Sequence, residues 1–276
     1  LIKRAITGAI FVAVLVGSIM WNEYSIAILF GIFSLLGLNE FLILMKKNGF
    51  TPNSILCLIV GGFIYGLVSF HSFGWLPLNT LLLIFPLLII IVASELFRKN
   101  ESPVSNMGFS ALGILYIVLP FASLNFFAYN PSFYNEIKLV MNDYGLLLGF
   151  FIILWANDTG AYLVGSKIGK NKLFERISPN KTWEGFFGGG FFAVLAGICF
   201  AHFSESSYIH WIVVSIIVFV FGTLGDLTES QIKRSTGVKD SGTILPGHGG
   251  ILDRFDGALF AAPFVLTYFF IIVNFL

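Results

Sequence analysis

The sequence predicts an all-α, polytopic integral membrane protein of about nine transmembrane helices, with its N-terminus in the cytoplasm. Composition is the first observation behind this. Of the 276 residues, 57% are hydrophobic and 11% charged, whereas a soluble domain carries roughly a quarter charged residues; mean hydropathy is +0.88. The second is segmentation: the apolar residues fall into runs near the roughly 20 residues that a helix needs to cross a bilayer. The third is the cations, which crowd into alternate loops. A soluble enzyme and a disordered chain are both excluded. Sixteen Lys+Arg against fifteen Asp+Glu give a net charge of +1, so no nucleic acid is expected as a partner, at least not through bulk basicity.

The N-terminal Lys3-Arg4 and the apolar run behind them superficially resemble a secretory signal, but the run continues into Trp21 with no small-x-small cleavage site. It is read as the first span, 5–20. Because the chain starts at Leu1, an initiator Met or a short leader is expected ahead of it. The remaining spans are 25–45, 54–70, 79–97, 108–127, 144–165, 185–203, 209–227 and 257–273. Short loops join most of them, so sequential neighbours should pack antiparallel. The chain divides into an N-terminal membrane region, 1–143, with five helices, and a C-terminal catalytic membrane region, 144–276, with four helices and two long cytoplasmic loops.

With a cytoplasmic N-terminus, one side receives Lys3, Arg4, Lys46, Lys47, Arg98, Lys99, Lys167, Lys170, Lys172, Arg176, Lys181, Lys233, Arg234, Lys239 and Arg254, leaving Lys138 as the single cation of the 16 on the other. Trp21, Tyr24, Trp75, Tyr129, Tyr134, Tyr144, Tyr208 and Trp211 fall near the opposite ends of the spans, as an aromatic belt at the outer interface. The 32 Phe and 29 Gly fit lipid-facing bulk alternating with close helix contacts, and Gly188-Gly189-Gly190 reads as tight helix packing rather than a phosphate loop. Cys57 and Cys199 are isolated in apolar runs and form no metal or disulfide pattern; both are expected as small buried core residues.

The polar chemistry lies in the loops 166–184 and 228–256 and the spans beside them. An ionisable residue inside a span costs roughly 2.5–3.5 kcal/mol and is a functional candidate by default. Asp158, in Trp155-Ala156-Asn157-Asp158-Thr159-Gly160, falls about 10 Å inside the cytoplasmic end of span six at 1.5 Å per residue. Asp226 ends span eight, and Asp253 and Asp256, spaced i, i+3, share one helical face at the start of span nine. Clustered carboxylates cannot all stay ionised without a counter-charge. Lys/Arg pairs can supply it; so can a divalent metal with oxygen ligands, for which Mg²⁺ beside substrate phosphates suits carboxylates, while no His/Cys spacing argues for zinc.

In Ser178-Pro179-Asn180-Lys181-Thr182-Trp183-Glu184-Gly185, Lys181 precedes a helix N-terminus, a combination that suits a phosphate, although helix capping by Thr182 and anchoring by Trp183 account for the segment equally well. The second loop, Lys233-Arg234 to Lys239-Asp240 to Pro246-Gly247-His248-Gly249-Gly250, interleaves cations with glycines that permit close backbone approach to a ligand. His248 is the one histidine expected on this face. Carboxylates in the membrane beside basic, glycine-rich cytoplasmic loops point to phosphate chemistry, with one substrate arriving from the lipid and the other from the cytosol.

Ser230-Gln231-Ile232-Lys233-Arg234, then Lys239-Asp240, then His248-Gly249-Gly250-Ile251-Leu252-Asp253-Arg254-Phe255-Asp256 resembles the signature of the phosphatidate cytidylyltransferase (CDP-diacylglycerol synthase) family, matching each fixed position without a gap. Asn157-Asp158-Thr159-Gly160-Ala161-Tyr162 and the Ser178–Gly185 stretch resemble it too, with Asn180 where the family commonly has lysine. The resemblance covers roughly residue 144 to the C-terminus; the first five spans match only in hydropathy. It implies that CTP and phosphatidic acid give CDP-diacylglycerol and pyrophosphate, with Mg²⁺ required and a second cation such as K⁺ admitted by a two-cation site. By the same carry-over, Asp226, Asp253 and Asp256 are metal ligands, and Lys181, Lys233, Arg234, Lys239 and Arg254 hold the triphosphate and the lipid phosphate. Ser230, His248 and Asp240 shape the site, and Asn157 and Asp158 bind or orient from span six. The implied setting is a bacterial inner membrane, among its lipids, with the site facing the cytoplasm; a homodimer is compatible with it. A CDP-alcohol phosphotransferase shares the start Asp253-Arg254-Phe255-Asp256-Gly257 but needs an A-R pair and a later Asp pair that do not follow. A polyprenol or phytol kinase resembles the chain more distantly, and a transporter would place its charges nearer the midplane. The charge bias yields one direct test. Cysteines introduced at Lys99 and Lys172 should react with an impermeant maleimide only from the cytoplasmic side, and labelling from outside would refute the orientation.

Overall fold

The computed structural model describes residues 2–128, 144–242, 244 and 249–275. It is 81% helical. Among the described residues the helices are α1 (Ile2–Trp21), α2 (Glu23–Lys47), α3 (Ser54–Ser72), α4 (Leu78–Phe97), α5 (Pro103–Phe127), α6 (Gly145–Ile168), α7 (Trp183–Phe203), α8 (Tyr208–Ser235) and α9 (Leu252–Phe275). Eight of these are long and apolar enough to cross a membrane, and α1 adds the shorter apolar stretch Ile6–Trp21.

The helices overrun the expected spans where polar residues continue them. α8 runs on to Ser235, although the span was expected to stop at 227, and α9 starts at Leu252 rather than 257. Hydropathy does not see such extensions, but Glu229, Gln231, Lys233 and Arg234 are good helix formers. In α5 a wide π-turn spans Ile114–Val118 just ahead of Pro120; the proline lacks an N–H and its ring crowds the carbonyl four residues back, so the turn opens to admit it. The loop after α6 holds one antiparallel hairpin, β1 (Lys172–Phe174) with β2 (Ser178–Thr182), a small exception to the all-α expectation.

The chain folds as two compact units, one of Leu1–Phe126 with Ile232–Phe255, the other of Phe127–Gln231 with Asp256–Leu276. In the first, α2, α3 and α5 meet at Leu38: a Cβ on Gly61 or Gly113 would lie 2.9 or 2.7 Å from its side chain, the close packing that small residues allow between membrane helices. Phe255, at the start of α9, is fully buried against Phe11, Phe30, Phe33 and Phe121, with ring centroids at 5.7, 6.3, 5.3 and 5.0 Å. Buried Glu95 accepts from Arg98 Nη1 at 2.5 Å and Asn100 Nδ2 at 2.8 Å, tying the end of α4 to its loop.

In the second unit α6 and α7 lie in close contact. A Cβ on Gly160, Gly188 or Gly189 would overlap Phe192, Val164 or Asn157 respectively, and one on Gly190 would press on Phe219 of α8. The glycine triplet therefore packs helices, as expected. Trp21, Tyr24, Trp75 and Tyr208 are exposed, in keeping with a belt role, but Trp211 is not: it is 1% exposed, packs on Phe200 with ring centroids at 4.5 Å and donates Nε1–H to Ser206 Oγ at 2.7 Å. It is a core residue, because Gly149 on α6 leaves room for its ring. Tyr129, Tyr134 and Lys138 lie outside the described residues. Cys57 is buried as expected; Cys199 is exposed, a correction, since it lies on the face of α7 turned away from its neighbours. Gly149→Leu should drive a side chain into the Trp211 ring and cost about 1–3 kcal/mol, seen as a lowered melting temperature of the protein in detergent; wild-type melting would contradict this packing.

Candidate active site

The second unit brings three carboxylates together. α8 carries Asp226 and Glu229 one turn apart, α9 carries Asp256, and one oxygen from each lies within 4.8 Å of the others. Glycine makes this possible. A Cβ on Gly225 would overlap the carbonyl oxygen of Asp256, and one on Gly257 would lie 3.3 Å from the Gly222 carbonyl oxygen, so the two helices touch backbone to backbone beside the carboxylates. Glu229 is buried, while Asp226 and Asp256 are half-buried.

Their partners come from all parts of the same unit. Lys181 Nζ lies 2.5 Å from Asp226 Oδ2, Ser230 Oγ–H donates to Asp226 Oδ1 at 3.3 Å, and the Gly257 N–H donates to Asp256 Oδ1 at 2.7 Å. Lys181 is placed by the hairpin, which is fastened to the start of α7. Thr182 Oγ1 accepts the Gly185 N–H at 3.1 Å, the Trp183 N–H donates to Asn171 O at 2.9 Å, and Glu184 accepts from the N–H groups of Lys170 and Asn171 and from Asn171 Nδ2. Of the two readings of this segment, the structure shows the cap by Thr182 directly; the cation beside it faces a carboxylate. From α6, Asp158 is close enough to act electrostatically on Asp256 and accepts from Asn157 Nδ2 at 3.3 Å. It is exposed, and α6 continues to Ile168, which puts it about 15 Å from the helix end. Among the described residues the Oδ1 of buried Asn157 has no hydrogen-bond partner, an acceptor left for a ligand or water.

The rest of the signature lies in the first unit. Lys233 and Arg234 occupy the last turn of α8, where cations complement the helix dipole. The helix stops because Gly237, at φ +67°, closes a Schellman turn: the Val238 N–H donates to Lys233 O at 3.0 Å and the Gly237 N–H to Arg234 O at 3.2 Å. Lys233 Nζ donates to Asp253 Oδ1 at 2.6 Å. Asp253 Oδ2 accepts from the Ser241 N–H and Oγ–H, each at 2.8 Å, and from the Gly250 N–H at 2.7 Å. The carboxylate of Asp253 is thus engaged by Lys233 and by its own loop. Gly249, at φ +82°, has no room for a Cβ beside Asp253 Oδ2. Arg234, Lys239, Asp240 and Arg254 are exposed; His248 lies outside the described residues.

Two acids escaped the sequence reading. Glu229 stands three residues after Asp226, the same i, i+3 spacing that marks Asp253 and Asp256. Glu40 is an ionisable residue inside a span, which is signal enough.

Residues 2–272 match the cytidylyltransferase family. The chain belongs to this family. The phosphatidate cytidylyltransferase of Staphylococcus aureus (strain COL) is 35% identical over 263 residues, 94% of this chain and 95% of that one. The proteins of the same name from Bacillus subtilis (strain 168) and Staphylococcus epidermidis (strain ATCC 12228 / FDA PCI 1200) are 40% identical over 181 and 176 residues, covering 64% and 63% of this chain and 63% of each relative. The cytidylyltransferase match takes in α1–α5 as well, so the likeness reaches beyond the C-terminal part to which the sequence motifs had confined it.

Of the three carboxylates Asp226 takes Lys181, and oxygen donors without His or Cys suit a hard divalent cation. Gly225→Val should push α8 off α9 and spread the three oxygens. Expected is loss of the Mg²⁺-induced rise in melting temperature that the unsubstituted protein should show; an unchanged Mg²⁺ response would contradict the role given to this backbone contact.

Proposed function

We propose that this chain transfers the cytidylyl group of CTP to phosphatidic acid, giving CDP-diacylglycerol and pyrophosphate, at the cytoplasmic face of a bacterial inner membrane. The observation that carries this is the Asp226–Glu229–Asp256 group, three carboxylates on two long apolar helices beside Lys181, in a chain of the cytidylyltransferase family.

The residues present fit Mg²⁺: Asp226, Glu229 and Asp256 would hold it, since their clustered oxygens and the absence of His or Cys among the three suit a hard divalent cation. When bound, Mg²⁺ supplies neutralisation of triphosphate charge and polarisation of the phosphoryl oxygens. The chain's own residues do the rest. An oxygen of the lipid phosphate forms a bond to the α-phosphorus of CTP while the bond from that phosphorus to the bridging α–β oxygen breaks, and pyrophosphate leaves with the electron pair. A phosphate monoester is already mostly dianionic near neutrality, its second pKa being about 6, so the attacking oxygen needs no general base. What remains is positioning and charge. Lys181, Lys233, Arg234, Lys239 and Arg254 receive the triphosphate and the lipid phosphate, Lys181 and Lys233 by exchanging their carboxylate partners for phosphate oxygens. Ser230 holds Asp226 in orientation. Asp253 keeps Oδ2 committed to its loop, and Oδ1, which takes Lys233 here, is the oxygen available to a second cation such as K⁺. Asn157 and Asp158 orient substrate from α6. Asp240 and His248 belong to the site on the resemblance alone.

Purified protein in detergent micelles should release pyrophosphate from CTP only with phosphatidic acid and Mg²⁺ present; equal turnover with a polyprenol acceptor would overturn the substrate assignment. Asp226→Asn, Glu229→Gln and Asp256→Asn should each lower kcat by about 100-fold or more, the several kcal/mol that such charge stabilisation supplies, without loss of folded protein. Near-normal rates in all three would remove the cation-holding role.

A further inference from the structure

Glu40 of α2 is 3% exposed and far in sequence from the signature. Its carboxylate accepts the Ile251 N–H through Oε1 and the Leu252 N–H through Oε2, both at 3.0 Å, and Ser241 Oγ lies 3.3 Å from Oε2. The first N–H groups of a helix have no partner within it, and a carboxylate there also meets the positive end of the helix dipole. Glu40 therefore caps α9 from another helix. Gly242 and Gly250 close around it so tightly that a Cβ on either would overlap its oxygens. Ser241 couples this cap to the site: its N–H and Oγ–H both hold Asp253 Oδ2, and Asp253 in turn holds Lys233. Each of these residues belongs to one unit.

We propose that Glu40 is a positioning residue for the cytidylyl transfer: it fixes Ser241, Gly242 and Gly250–Leu252, and through Ser241 and Asp253 it sets where Lys233 is presented to phosphate. Among the described residues its donors are the Ile251 and Leu252 N–H groups and Ser241, so it acts through them. The proposal rests on the transfer activity set out above for its kinetic consequence, while its structural consequence stands independently.

Glu40→Gln keeps the shape of the side chain but turns an NH₂ toward one of two backbone N–H groups, breaking one bond of the cap and removing its charge. Glu95→Gln, at another buried carboxylate of the same unit that does not touch the signature, is the comparison. Glu40→Gln is expected to lower kcat about tenfold or more, the effect of roughly 1.4 kcal/mol, with KM for phosphatidic acid within about twofold of wild type. It should also speed tryptic cleavage within 233–240 severalfold. Glu95→Gln should change neither kcat nor that cleavage, even where it lowers the melting temperature as much. Wild-type kcat and cleavage in Glu40→Gln, a change in one without the other, or the same two changes in Glu95→Gln would overturn the proposal. Should the wild-type protein release no pyrophosphate from CTP with phosphatidic acid, the activity is what fails, and cleavage alone decides the role of Glu40.

Discussion

Much of the candidate site depends on one contact, the backbone of α8 lying against that of α9 where Gly225 faces the Asp256 carbonyl. A side chain at either surface would hold membrane helices 8–10 Å apart, too far for short aspartates on both to share a ligand. With glycine the carboxylates of Asp226, Glu229 and Asp256 converge. Convergence has an electrostatic cost: at an effective dielectric of 20, two unit charges 4 Å apart repel by about 4 kcal/mol. The Lys181 contact to Asp226 offsets part of it.

The hairpin and α7 make sense as the support for that lysine. Lys181 precedes a helix cap, and the cap is reinforced from both sides by Thr182 and Glu184, so a long flexible side chain is projected from a fixed backbone point. α7 in turn is held against α6 through Gly185, Gly188 and Gly189, and α6 brings Asn157 and Asp158. Two small-residue interfaces thus set the geometry of the polar groups, where lipid provides no hydrophobic drive to press helices together.

The signature segment combines chemistry with architecture. Phe255 fills an aromatic cage, Gly237 and Gly249 take up left-handed backbone, and Asp253 reaches back to Ser241 and Gly250. Such roles look alike in a linear motif, because a fixed residue is equally fixed by a ligand or by its own loop. That is why Asp253 stood beside Asp226 in the sequence reading while Glu229, three residues from Asp226, went unassigned. Trp211 and Cys199 were misplaced for a related reason: hydropathy reports depth along a span, and the face a residue presents depends on the neighbouring helix.

The sequence by itself determined that the chain is a bundle of long apolar helices, where its polar loops lie, and to which family its signature belongs. Composition and run length decide the first two, since a helix that satisfies its own backbone is the solution open to an apolar segment in lipid. Only the tertiary structure decided which acids meet. Glu40 and Leu252, or Asp226 and Asp256, are far apart in the chain and joined by packing alone, through glycines whose role is set by what lies opposite them. No periodicity within one helix encodes that opposite surface.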